Sequence, residues 1–259
     1  MIPRQYLESV TDNALKELIH SDKHFVEALE EIISMEERTM KSLPARKTKD
    51  KRVSKKELPA VFEEAKRFVD GFLRVNPPPV KEVRFYSFFE KMIKFPASLY
   101  SPSRREITLW PRDEARVYSH CLHEYAHHIS YRATQLKDMR LLSLNDIFLE
   151  GYAMRIERWG SLVKARTEND SRWYRPVHEE THKALVMVYD LLCRGHNVNP
   201  RKEFMQKISG SDERKRTKFQ FPRPGKYSLG IAIFTIAELE IGNLSIYENI
   251  LKQQRNDGS

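Results

Sequence analysis

Cysteine and glycine are scarce in this chain: 2 and 9 residues among 259. Two cysteines, Cys121 and Cys193, cannot build a disulfide framework. That excludes the small disulfide-stapled secreted folds and fits a reducing compartment. Nowhere does an apolar run reach the roughly 18 residues that a membrane-spanning helix needs. The opening residues, MIPRQYLESV, turn polar and charged quickly and carry no apolar stretch of signal-peptide type. Together these absences predict a cytoplasmic protein. Zinc-finger, RRM and Gly-rich phosphate-loop patterns are missing too, which argues against an enzyme that cradles phosphates.

What is abundant is charge. Lys and Arg number 45 against 36 Asp and Glu, a net +9, and charged residues make up 31% of the chain. The 40% of hydrophobic residues still suffices for a sizeable core. Positive charge concentrates at 46–56 (RKTKDKRVSKK) and 213–218 (ERKRTK). Neither run interleaves the aromatic residues on which single-stranded nucleic acids stack, so both read as solvated linkers or loops. Contact with nucleic acid is permitted by the charge but carried by no motif.

Hydrophobic spacing predicts helices over 4–40, with Phe25, Leu29, Ile32 and Ile33 on one face, and over 58–74, with Val61, Ala65, Phe68 and Phe72. Pro77, Pro78 and Pro79 forbid continuation of the second. Residues 80–89 (VKEVRFYSFF) and 105–110 (REITLW) read as strands. Further helices are predicted at 112–134, 145–159, 175–194 and 228–253. The expected fold is therefore α+β and helix-rich, with a small sheet packed on helices. Residues 1–57 form an N-terminal helical segment plus basic linker, a candidate cap or latency segment, and 58–255 the main domain.

One stretch carries chemistry. Residues 120–128 read HCLHEYAHH, within which His123 to His127 fit the pattern HExxH. Four residues turn a helix through about 400°, so His123 and His127 stack on one face, where two imidazoles can hold one zinc ion. Glu124, about 100° further round, can reach a water on that metal without binding the metal, as a general base does. A second match, His178 to His182, has charged Glu180 inside it, Lys183 after it and Pro176 before it, and reads as an exposed opening turn of a helix. Zinc needs a third protein ligand. Glu150, in the stretch FLEGYA on the next predicted helix, lies among apolar neighbours where a carboxylate requires a partner. Gly151 would let two helices approach closely. His120, Cys121 and His128 are competing ligands. Asp146 or Glu157 is expected to orient a ligand histidine.

HEYAH followed by a helix bearing EGYA resembles the gluzincin branch of the zincin metallopeptidases. The resemblance implies a zincin-like fold with one Zn2+ held by His123, His127 and Glu150. It also implies Glu124 as general base and a peptide or protein substrate. The stretch YSPSRREITLW, residues 100–110, resembles that family's edge strand, along which an extended peptide lies. Residues 224–251 (PGKYSLGIAIFTIAELEIGNLSIYENIL) are similar to the Tyr-x-x-Gly helix of aminopeptidase-like gluzincins, which implies a role for Tyr227 at the developing oxyanion. His178 or His182 could fill the same role. The sequence departs from the pattern at Met154, where many gluzincins carry an Asp. It also shows no motif for a substrate amine, so an endopeptidase is the expected activity. The alternatives are a zinc-stabilised interaction domain that is not catalytic, and a protease tethered to nucleic acid by its basic runs.

Overall fold

The structure, a computed structural model, describes residues 23–49, 51–73, 77–87, 90, 98–110, 112–134, 142–195, 230–232 and 235. In chain order the elements are α1 (Lys23–Ser42), α2 (Leu58–Leu73), β1 (Glu82–Phe85), β2 (Leu99–Ser101), β3 (Glu106–Leu109), α3 (Glu114–Thr134), α4 (Leu142–Thr167), a single 3-10 turn (Ser171–Trp173) and α5 (Arg175–Gly195). This is the helix-rich α+β arrangement that the patterning predicts. No helix among the described residues is long and apolar enough to cross a membrane.

The three strands run in the order β1-β3-β2, with β1 parallel and β2 antiparallel to β3. The strand immediately before the HExxH helix, β3, is therefore the central one. The edge lies one hairpin earlier, in the three-residue strand β2, too short to show a period of its own. Ile107 and Leu109 of β3 are fully buried and join the sheet to α3. Arg84 of β1 donates from Nε to Glu106 at 2.6 Å and from its two Nη atoms to the Glu90 carboxylate, each at 2.8 Å.

In α2 the buried stripe is Leu58, Phe62, Ala65 and Val69. It is rotated by about one residue from the face predicted by spacing, and Val61 and Phe68 pack at its margin. Helix α4 runs beyond the predicted stop at 159, because Leu162 and Ala165 continue its buried face. It ends where Asn169 takes φ 53°, the left-handed conformation that terminates helices. Helices approach closely at Gly160: a Cβ there would lie 2.5 Å from Leu122 Cδ1 and 3.0 Å from Phe68 Cε1.

The basic run 46–56 is not a free linker. Thr48 Oγ1 donates to Asp170 at 2.9 Å, and the Lys47 N–H donates to the same carboxylate at 3.2 Å. Val53 N–H donates to Arg112 O at 2.7 Å, and Glu114 N–H to Lys51 O at 2.9 Å. Side chains at positions 46, 47, 49, 51 and 52 remain exposed, as a solvated run requires, while the main chain is strapped to the body.

Helix α1 contributes Leu29, Ile32 and Ile33 to the interior, all fully buried. Glu36 is fully buried as well. Its carboxylate accepts from Arg158 Nε at 2.8 Å and Nη2 at 2.5 Å, and from the Tyr174 hydroxyl; His178 Nδ1 lies 3.5 Å away. Burial alone would raise the Glu36 pKa, but His178, Arg158 and Tyr174 together hold it at about 2 against an ordinary 4.5. A carboxylate with a depressed folded pKa stabilises the fold above its unfolded pKa and loses that contribution as pH falls. The shift corresponds to about 3 kcal/mol. Glu36→Gln would leave the buried Arg158 without its counter-charge, at a cost of about 3–5 kcal/mol at neutral pH. Urea denaturation should show that loss, and the gap between variant and wild type should narrow as pH drops from 4.5 towards 2. By the same argument a chain beginning at residue 58 is expected to lose stability.

Candidate metal centre

Helix α3 is buried at every position from 121 to 130. Leu122, Tyr125 and Ala126 provide its apolar contacts. Its polar side chains therefore each need a partner inside the protein. His123 and His127, one turn apart, point their Nε2 atoms at each other across 3.1 Å. Glu150 on α4 brings Oε2 to 3.3 Å from His123 Nε2 and 3.2 Å from His127 Nε2. All three residues are buried, and they form a group able to hold a metal ion.

The spacing is compatible with a bound metal ion. Two imidazole Nε2 atoms and a carboxylate oxygen at 3.1–3.3 Å enclose a point that wants a cation. A tetrahedral ion with bonds of about 2.0 Å spaces its ligands about 3.3 Å apart. Two nitrogens, one oxygen and this spacing fit zinc, although the donor types alone would also accept other divalent metals. Electrostatics lead to the same place. Burial opposes charge on His123, but hydrogen bonds to Glu150 and Glu157 overcome it and raise its pKa well above the usual imidazole range. Burial likewise opposes charge on Glu150, yet the two histidines hold its carboxyl well below the usual range.

Glu157 completes the support. Two turns beyond Glu150 on α4, it lies 3.0 Å from His123 Nδ1. A carboxylate there accepts the Nδ1 proton and leaves the Nε2 lone pair for a metal. This is one of the two residues expected from sequence to orient a ligand histidine; the side chain of Asp146 lies outside the described residues. Met154 is buried and leaves that role to the residue three positions on.

Glu124 sits beside the three ligands without joining them. It is 5% exposed, and burial, with Glu150 and Glu157 nearby, pushes its pKa up to about 7. The Tyr100 main-chain N–H, from edge strand β2, donates to its carboxylate. The competing ligands are engaged elsewhere. His120 Nδ1 meets Ser98 Oγ at 2.7 Å, and burial lowers its pKa to about 4. Cys121 is fully buried in the apolar core, where desolvation pushes its thiol pKa up. His128 bonds to Tyr100 and to the Pro78 carbonyl.

The histidines of the second HExxH match stay outside this centre: His178 and His182, at the start of α5, face Glu36 and Glu37 of α1 at 3.5 and 3.6 Å. Glu179 and Glu180 are exposed at the surface, but Glu180 feels the charges of Glu157 and His123, and partial desolvation with the Glu157 carboxylate pushes its pKa up to about 7. Tyr227 lies outside the described residues. Sequence reasoning missed Ser98 and Tyr100 as partners of the HExxH helix. Nothing in a serine just before a three-residue strand, or in a tyrosine within it, signals such a contact in advance. In comparisons with known proteins, no family, no curated protein and no solved structure matches the chain.

Two substitutions separate ligand from support. Glu150→Ala should reduce bound zinc from one per chain to a small fraction by elemental analysis. Glu157→Gln should still fill at saturating zinc, but with affinity lowered about 10- to 100-fold in a calorimetric titration. Full retention of zinc in Glu150→Ala would remove Glu150 from the ligand set.

Proposed function

We propose that the chain is a zinc-dependent peptidase of gluzincin type, acting as an endopeptidase. The observation that carries this reading is Glu124. A site that only stabilises the fold needs four closing ligands and no spare carboxylate. Here three candidate ligands converge among the described residues, and a further carboxylate, Glu124, is buried next to them, outside the ligand group. Its pKa, raised to about 7, suits a group that takes and returns a proton near neutral pH.

A divalent ion held by His123, His127 and Glu150 would supply Lewis acidity, polarising a carbonyl and acidifying water. The chain's own residues do the rest. Glu124 removes a proton from the attacking water and holds it at a carboxylate oxygen. It then delivers that proton to the departing amine as the C–N bond breaks. The helices around α3 keep bulk water from the carboxylate, which strengthens each of these interactions. Glu157 fixes the orientation of the His123 ring through the cycle. Strand β2 ends the sheet and has no strand on its outer side among the described residues. An extended peptide laid along this side of the sheet would run beside the Tyr100 N–H that holds Glu124, which favours a polypeptide substrate over a compact small molecule.

Glu124→Gln tests this reading. The variant should bind zinc as wild type does, while turnover of an unstructured protein substrate such as casein falls about 10²- to 10⁴-fold. Equal turnover by the variant and the wild type would dismiss Glu124 as the base. No turnover by zinc-loaded wild type on a broad peptide library would dismiss the peptidase reading.

A further inference from the structure

The metal centre uses one pair of residues a turn apart on α3, His123 and His127. A second pair with the same spacing, Glu124 and His128, lies beside it, and a single residue from another element bridges the two. Tyr100 of β2 reaches Glu124 with its main-chain N–H and His128 with its side-chain hydroxyl, at 2.8 Å from Nδ1. We infer that Tyr100 is a positioning residue for Glu124, locked in place by His128. This inference rests on the peptidase reading for its consequence in catalysis, but not for its geometry.

The lock has a defined sense. His128 Nε2 lies 2.6 Å from the Pro78 carbonyl, which can only accept. Nε2 therefore carries the ring proton, and Nδ1 is left to accept from the Tyr100 hydroxyl. The His128 ring is fully buried and cannot rotate freely. It stacks on Tyr125 with centroids 5.6 Å apart at 22°, and meets the Tyr100 ring edge-on at 5.2 Å. Tyr125 is itself held, donating from its hydroxyl to Asp70 of α2 at 2.8 Å. The chain of contacts thus runs from α2 through Tyr125 and His128 to Tyr100, and from there to the carboxylate of Glu124.

The lock answers a mechanical need. Strand β2 has three residues and, among the described residues, pairs with β3 alone, so its ladder fixes it weakly. Glu124 has three side-chain torsions and needs a hydrogen bond to choose among its rotamers. Anchoring Tyr100 at His128, on the same helix and one turn from Glu124, sets the distance between strand and carboxylate from within α3. It also explains why a second histidine follows the HExxH motif directly. His128 is the anchor of this bridge, as His127 is a ligand of the metal group.

Tyr100→Phe removes only the hydroxyl and keeps the ring. In the zinc-loaded protein, hydrogen exchange at the residue 100 amide should accelerate about tenfold, with zinc content unchanged. Glu124→Ala should accelerate the same amide by removing its acceptor. With an active substrate, Tyr100→Phe should lower kcat about 10- to 100-fold at unchanged KM, the signature of a misplaced group rather than of lost binding. Unchanged exchange at residue 100 in both variants would overturn the lock, whether or not the protein proves to be a peptidase. Faster exchange with kcat unchanged in an active enzyme would overturn the positioning role. Should Tyr100→Phe fail to fold, the ring nitrogens of wild-type His128 decide by NMR. A proton on Nε2 supports the lock, and a proton on Nδ1 alone overturns it.

Discussion

A helix buried at every position from 121 to 130 must find a partner for each polar group it carries there, and that constraint organises this structure. Helix α3 runs through the interior bearing His120, His123, Glu124, His127 and His128. An apolar surround would make any unpaired member of this set costly. The solution is distributed. His120 takes Ser98, His123 takes Glu157, His128 takes Tyr100 and Pro78, and Glu124 takes a main-chain N–H of the sheet edge. What remains is the facing pair of Nε2 atoms with Glu150, where a cation is the natural partner.

Helix α4 is the counterpart of α3. Glu150 and Glu157 lie two turns apart on it and both address His123. The very next residue, Arg158, turns the other way, to Glu36 of α1. A carboxylate that supports the metal group and an arginine that ties down the N-terminal helix thus share one turn. Gly160 allows this helix to lie close against Leu122 of α3 and Phe68 of α2. The metal group is therefore held by the same interface that forms the core. The N-terminal helix belongs to that interface: Glu36 reaches Arg158 and Tyr174, and Tyr189 of α5 donates to Glu30.

Much of the site is legible in the sequence because helix spacing is a strong local rule. His123, Glu124 and His127 follow from five letters and a period of 3.6, and Glu150 follows from a carboxylate set among apolar residues. Glu157 emerges as one of two options because a ligand imidazole needs an acceptor. What the sequence does not reveal is long-range. Strand β2 is three residues long, and its pairing with β3 depends on tertiary contact rather than on alternation. Tyr100 joins the site through its main chain, which carries no residue signature. The buried network at Glu36 brings together residues more than 120 positions apart. The basic run 46–56 looked free because its side chains are solvated, whereas its main chain is what holds it.

In the proposed centre, two imidazoles and one carboxylate would hold zinc and leave room for a small exogenous ligand. X-ray absorption at the zinc edge of the metal-loaded protein measures this directly. The expected spectrum shows two imidazole nitrogens with oxygen completing the sphere, no sulfur shell, and loss of one oxygen contribution in Glu150→Ala. A sulfur at about 2.3 Å, or a third imidazole, would contradict it by placing Cys121 or another histidine in the coordination sphere and closing the site.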